Sequence, residues 1–184
     1  MRTFVALLRG INVGGRNSLP MRELVEVLEG LGLREVKTYI QSGNVVFQNE
    51  GGEPADPAGR MGDAIEKSHG FRPEVMLLEV DELQSAIAAN PFPEAELEPK
   101  TLHLYFLGCE PENADLKALE SIRREKERFK LEGKVFYLHA PLGIGRSKLA
   151  AQVEKSLGVA VTSRNWRTVS KIRAMAAELV ESKS

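Results

Sequence analysis

The chain of 184 residues holds one cysteine, three histidines and only 6% aromatic residues. A single cysteine excludes an intramolecular disulfide and a cysteine-based zinc site. Cys109 stands beside Leu107, Gly108 and Glu110, none of them a base, so it reads as a small strand-end residue and not as a thiolate nucleophile. The histidines are scattered: His69 precedes a helix-ending glycine, His103 lies within a strand and His139 closes one, without the spacing of a triad or a metal pair. No general base stands out, and neither a metal nor a cofactor is expected. Long apolar runs are also missing, since none approaches the roughly 18 residues that a membrane span needs. Met1-Arg2-Thr3 leads directly into a strand and not into a signal-peptide core, so a cytoplasmic protein without membrane contact is the expectation.

Acid and base nearly balance overall, at a net charge of -1, but not locally. Residues 1–22 carry +4 with no acid, residues 143–173 carry +6, and residues 23–142 carry -10. If the two basic segments meet, the fold has a positive pole. The hydrophobic fraction of 42% supports ordinary globular cores.

The chain is organised around Phe4–Arg16, FVALLRGINVGGR, where a buried-strand run stops at Arg9 and enters a glycine-rich loop ending in Arg16. Gly10, Gly14 and Gly15 allow positive φ, and two guanidiniums around free amides suit a carboxylate or phosphate; the plain alternative is a tight turn with solvated arginines. Ser18-Leu19-Pro20 opens a helix with Met21, Leu24, Val25, Leu28 and Leu31 at helical spacing, ended by Gly30 and Gly32. Val36–Ile40 and Val45–Gln48 form a hairpin around Gln41-Ser42-Gly43-Asn44. A turn-rich loop over Asn49–Arg60, a helix over Met61–His69 and a strand over Pro73–Val80 complete the order βαββαβ.

A helix over Asp81–Ala89, a break at Asn90-Pro91-Phe92-Pro93 and a connector over Glu94–Pro99 follow. The order then repeats: strand Thr101–Leu107, helix Glu112–Glu120, hairpin strands Arg128–Leu131 and Lys134–His139, helix Ser147–Leu157 and strand Val159–Thr162. Asn165 caps a terminal helix with Trp166, Val169, Ile172, Ala176 and Leu179 on one face. The expected fold is therefore α+β, two ferredoxin-like (βαββαβ) halves with a C-terminal helix, divided as 1–80, a helix and connector over 81–99, and 100–184.

A second basic loop, Pro141–Lys148, joins a strand to a helix. Gly143, Gly145, Arg146, Ser147 and Lys148 make it a candidate anion site, although neither a Walker order nor a dinucleotide fingerprint is present, and a capped helix without a ligand fits equally. Arg164, Arg167 and Lys171 fall on one side of the terminal helix. Trp166 is in register with Val169 and Ile172 and reads as a core anchor.

LLRGINVGG, the helix near Met21, TYIQSGNVVF, NPF, GRSKL and TSRNWRTV, in that order, resemble the family called domain of unknown function number 1697 along nearly the whole chain. The resemblance implies two ferredoxin-like halves and brings no activity, substrate or cofactor. Positions fitting its pattern are Arg9, Gly10, Asn12, Gly14, Gly15, Gln41 to Asn44, Gly143, Arg146, Ser147, Lys148, Arg164, Asn165, Trp166 and Thr168. Ser163 and Arg167 stand where threonine and asparagine are expected.

The leading functional expectation is a binding module for an anionic, phosphate-bearing ligand, a nucleotide or RNA, in a basic inter-domain cleft. Arg9, Gly14, Gly15, Arg16, the Gly143–Lys148 loop and Arg164 would supply charge and amides, with Asn12, Gln41, Ser42, Asn44 and Asn165 as neutral hydrogen-bonding groups. The low aromatic content and the lack of an RNP-like run weaken the RNA version. The alternatives are a transferase acting on an anionic substrate and a protein-interaction or homodimerisation domain.

Overall fold

A computed structural model describes residues 1–50 and 56–181. Much of the loop expected over Asn49–Arg60 therefore lies outside the described residues. Sixteen elements follow in order: β1 Arg2–Arg9, α1 Met21–Gly30, β2 Arg34–Tyr39, β3 Asn44–Asn49, α2 Pro57–His69, β4 Glu74–Glu79, α3 Val80–Ala88, a 3-10 turn Pro93–Leu97, β5 Leu102–Leu107, α4 Leu116–Ile122, β6 Arg128–Glu132, β7 Val135–His139, a 3-10 turn Ile144–Arg146, α5 Lys148–Leu157, β8 Val161–Asn165 and α6 Trp166–Glu181.

The strands form two four-stranded sheets of orders β2-β3-β1-β4 and β6-β7-β5-β8, with every neighbouring pair antiparallel. Each has the order of the split βαβ arrangement, so the fold is α+β in two ferredoxin-like halves with a C-terminal helix. The repeat extends to detail. The Leu8 amide donates to Gly43 O at 2.8 Å, and at the matching place the Leu107 amide donates to Lys134 O at 2.9 Å. In each half the hairpin turn thus holds the end of the central first strand.

Central strands have both faces covered, which is why Phe4–Leu8 and Leu102–Leu107 are apolar or buried throughout and do not alternate. In the first sheet Phe4, Ala6, Leu8, Val45 and Phe47 pack with Leu24, Leu28, Met61 and Ile65 of α1 and α2. On the other face Gln48 Nε2 donates to Leu179 O at 2.8 Å, bringing the last turns of α6 there. In the second sheet Tyr105, Leu107, Phe136 and Leu138 pack with Leu119, Leu149, Val153 and Leu157 of α4 and α5. Tyr137 lies on the opposite face, where its hydroxyl donates to Ala86 O at 2.7 Å.

The chain resolves into two compact units, Met1–Ser85 with the segment from Lys171 onward, and Ala86–Ser170, so the division falls inside α3 and α6. Several boundaries differ from the sequence reading. α4 begins at Leu116 and not at Glu112, because Asp115 accepts the Ala118 amide at 2.9 Å as its N-cap. α3 starts directly after β4, with Glu82 and not Asp81 accepting the Glu79 amide at 2.8 Å. The connector holds a 3-10 turn, and β8 runs on to Asn165 because His103 and Leu104 of β5 still pair with Asn165 and Arg164.

Candidate functional site

In the first unit the glycine-rich loop and the hairpin turn are joined by one side chain. Asn12 sits at φ 53, and its Nδ2 donates to Leu19 O and to Gln41 O, both at 2.9 Å, while its Oδ1 accepts the Leu19 amide at 2.7 Å. Asn44 is buried and its Nδ2 donates to Tyr39 O and Ser42 Oγ, each at 2.9 Å. Asn12 and Asn44 thus hold turns in place, and Gln41 contributes its carbonyl while its side chain is exposed. Gly14 and Gly15, at φ 57 and 74, form an exposed tip beside the Val13–Arg16 bridge, with the Arg16 side chain also exposed. Arg9 faces Glu74 across the β1–β4 pair and is bridged to it at 3.1 Å. A half-exposed pair of this kind contributes little to stability.

The second unit brings together Gly143, Gly145, Arg146, Ser147 and Lys148. Gly143, at φ 79, starts the turn, and its amide donates to Ala140 O at 2.8 Å. Ser147 is buried; its Oγ accepts the Ala150 amide at 3.0 Å and caps α5. That cap leaves other first-turn amides without intrahelical acceptors and with the positive end of the helix dipole. Arg146 and Lys148 are exposed on either side of the cap. A third cation joins them: Arg124 Nη2 donates to Arg146 O at 2.6 Å. Among the described residues none of Arg124, Arg146 and Lys148 is in an ion pair, whereas the adjacent Arg123 is bridged to Glu120 at 2.7 Å.

Arg164 is only 8% exposed. Its Nη1 donates to Thr162 Oγ1 at 2.9 Å and to Ser163 O at 2.8 Å, and burial pulls its pKa down to about 10, so it keeps its charge at neutral pH. It pairs in register with Leu104, while Tyr105 and Leu107 carry the α5 face, so Arg164 and the start of α5 belong to opposite sides of this sheet. Arg9 belongs to the first unit, and Arg164 and the Gly143–Lys148 turn to the second. Asn165 Oδ1 accepts the Thr168 amide at 3.0 Å, capping α6 as the sequence suggested, and Trp166 is buried in register with Val169 and Ile172.

The NPF motif is structural. Asn90 Oδ1 accepts the Phe92 amide at 3.0 Å, and the Arg128 guanidinium lies 4.7 Å over the Phe92 ring. Arg128 also pairs with Glu94 and donates to His139 Nδ1 at 2.9 Å, which requires the imidazole to be neutral at that atom. His103 is buried and its Nδ1 has no hydrogen-bond partner among the described residues; burial pushes its pKa down. No group of three histidine, cysteine or acidic residues able to hold a metal occurs among the described residues, and no helix there is long and apolar enough to cross a membrane.

A solved structure with the same architecture is the conserved bacterial protein SP0830 from Streptococcus pneumoniae, 22% identical, covering 95% of this chain and 98% of that one at a TM-score of 0.68. An unknown protein from Galdieria sulphuraria is 13% identical over 89% of this chain and 98% of its own, and its TM-score of 0.27 carries no weight for the fold. No curated protein matches. Residues 1–137 match the family model described as protein of unknown function (DUF1697), and the chain belongs to that family.

Proposed function

We propose that the protein is a binding module for a small phosphate-bearing ligand, taken at the start of α5. The observation that carries this reading is the exposed trio Arg124, Arg146 and Lys148 at one helix N-terminus, with no acidic partner among the described residues. Like charges gathered in this way cost stability, and an anion offsets that cost through charge-assisted bonds to guanidinium and free amides. A small ligand fits better than RNA. Ferredoxin-like RNA binders stack bases on exposed sheet aromatics, and here Phe4, Phe47, Tyr105, Phe106, Phe136 and Tyr137 are all buried.

Thermal unfolding with pyrophosphate tests the reading, because a ligand of the native state raises the melting temperature. A rise at low salt that shrinks as salt is added, and that Lys148→Gln removes, supports it. An unchanged melting temperature at millimolar pyrophosphate contradicts it.

A further inference from the structure

We infer that the ligand is an amphipathic phosphate monoester whose apolar body lies in the groove between α4 and α5; the inference rests on the phosphate site just proposed. α5 has two stripes. Leu149, Val153 and Leu157 pack on the sheet, while Lys148, Ala151 and Lys155 at three- and four-residue steps line a groove facing α4. Small side chains stand where packed helices usually interlock: Ala151 on α5 and Ala118 on α4, with Ile122 completing an apolar floor. The open groove offers about 600 Å³, within the usual range of small-molecule sites. At the corresponding helices of the first unit, Glu23 of α1 is bridged to His69 of α2 at 2.8 Å.

Charge gives the groove a direction. α4 and α5 run antiparallel, because the Asp115 amide at the start of α4 donates to Ser156 O near the end of α5 at 2.7 Å. At that end Lys155 and Asp115 carry opposite signs. At the other end Lys148 adjoins Arg146 and Arg124 at the helix N-terminus, so the groove is basic at one end and near neutral at the other. Seven residue steps of helix lead from Lys148 to Lys155, about 10 Å of groove, which a phosphate head with an aliphatic body of four to six carbons spans.

The test is calorimetric titration of the full chain with inorganic phosphate and with methyl, butyl and hexyl phosphate. Affinity should climb along the series by about tenfold or more from methyl to hexyl. Ala151→Leu, at an exposed position, should abolish that climb and leave inorganic phosphate unaffected. Ser121→Leu, filling the same groove from α4, should do the same. Equal affinity for methyl and hexyl phosphate, or a climb that survives both variants, overturns the groove while leaving the phosphate site standing. Failure of inorganic phosphate and every ester to bind overturns the site as well. Sedimentation with phosphatidic-acid vesicles, competed by hexyl phosphate, would reassign the head group to a membrane lipid and overturn the soluble ester; absence of sedimentation supports it.

Discussion

Arg124 donates from Nη2 to the carbonyl of Arg146 at 2.6 Å, across 22 residues of chain. The bond fixes a second guanidinium beside the capped start of α5, where Lys148 and Arg146 are already exposed. If this arrangement binds phosphate, Arg146→Gln should weaken pyrophosphate by roughly one to two decades, the size of a lost charge-assisted bond of about 1.5 to 3 kcal/mol. Its unfolding free energy should stay within about 0.5 kcal/mol of wild type, as for other exposed side chains. Calorimetry and urea denaturation of the one variant read both quantities.

Gly43 and Gly15 make a matched pair. Both have positive φ, 75° and 74°, but a Cβ at Gly43 would lie 2.7 Å from Leu8 Cβ and 2.8 Å from Ile11 Cδ1, whereas none is within 4 Å at Gly15. Gly15→Ala should therefore cost only the backbone strain, about 1 to 2 kcal/mol. Gly43→Ala should cost that and a further 1 to 3 kcal/mol or so of overpacking. Urea midpoints of the two variants decide; equal losses would contradict the close approach of turn and strand.

Asn12 holds three backbone groups from two segments. Asn12→Ala leaves the Leu19 amide and two carbonyls without that partner and should cost about 2 to 3 kcal/mol. Hydrogen exchange should rise at the Leu19 amide in particular. Asn12→Asp keeps the acceptor but replaces the donor with a charge, so it should protect Leu19 while still destabilising the contact with Gln41.

His103 sets a pH dependence. Burial lowers its pKa in the folded state, so the unfolded chain takes up the proton first. Its contribution to stability is complete above the unfolded value of about 6.5 and is lost as pH falls below it toward the folded value. His139 is shifted in the same direction, by burial and then by Arg128. Urea midpoints at pH 7.5 and 5.5 should fall less between the two conditions in His103→Phe than in wild type. An identical fall would show that His103 is already accessible to protons in the native state.

The strand, turn and helix order of both halves was legible because Phe4–Leu8 is an apolar run stopped at Arg9-Gly10, Thr101–Leu107 reads as a strand up to Gly108, and the helices keep clear apolar stripes. The site was legible only in part. Ser147 and Lys148 could be read as a helix start, but nothing around Arg124 distinguishes it within Arg123–Arg128, since its acceptor arrives from β7 and the turn beyond. Arg164 reads as a ligand-binding charge on one side of the terminal helix with Arg167 and Lys171, whereas it lies in β8, where its pairing with Leu104 turns it into the protein. Asn12 reads as a free polar group beside a glycine loop; its acceptor at Gln41 lies 29 residues away and is set by the hairpin.

The most direct test of the central claim is an amide-resolved NMR titration with inorganic pyrophosphate at low salt. The account predicts saturable shifts concentrated on the amides of Ser147 to Ala150 and on the Arg124 and Arg146 side chains, lost in Lys148→Gln. Shifts confined to other surfaces, or none at millimolar concentration, would contradict it.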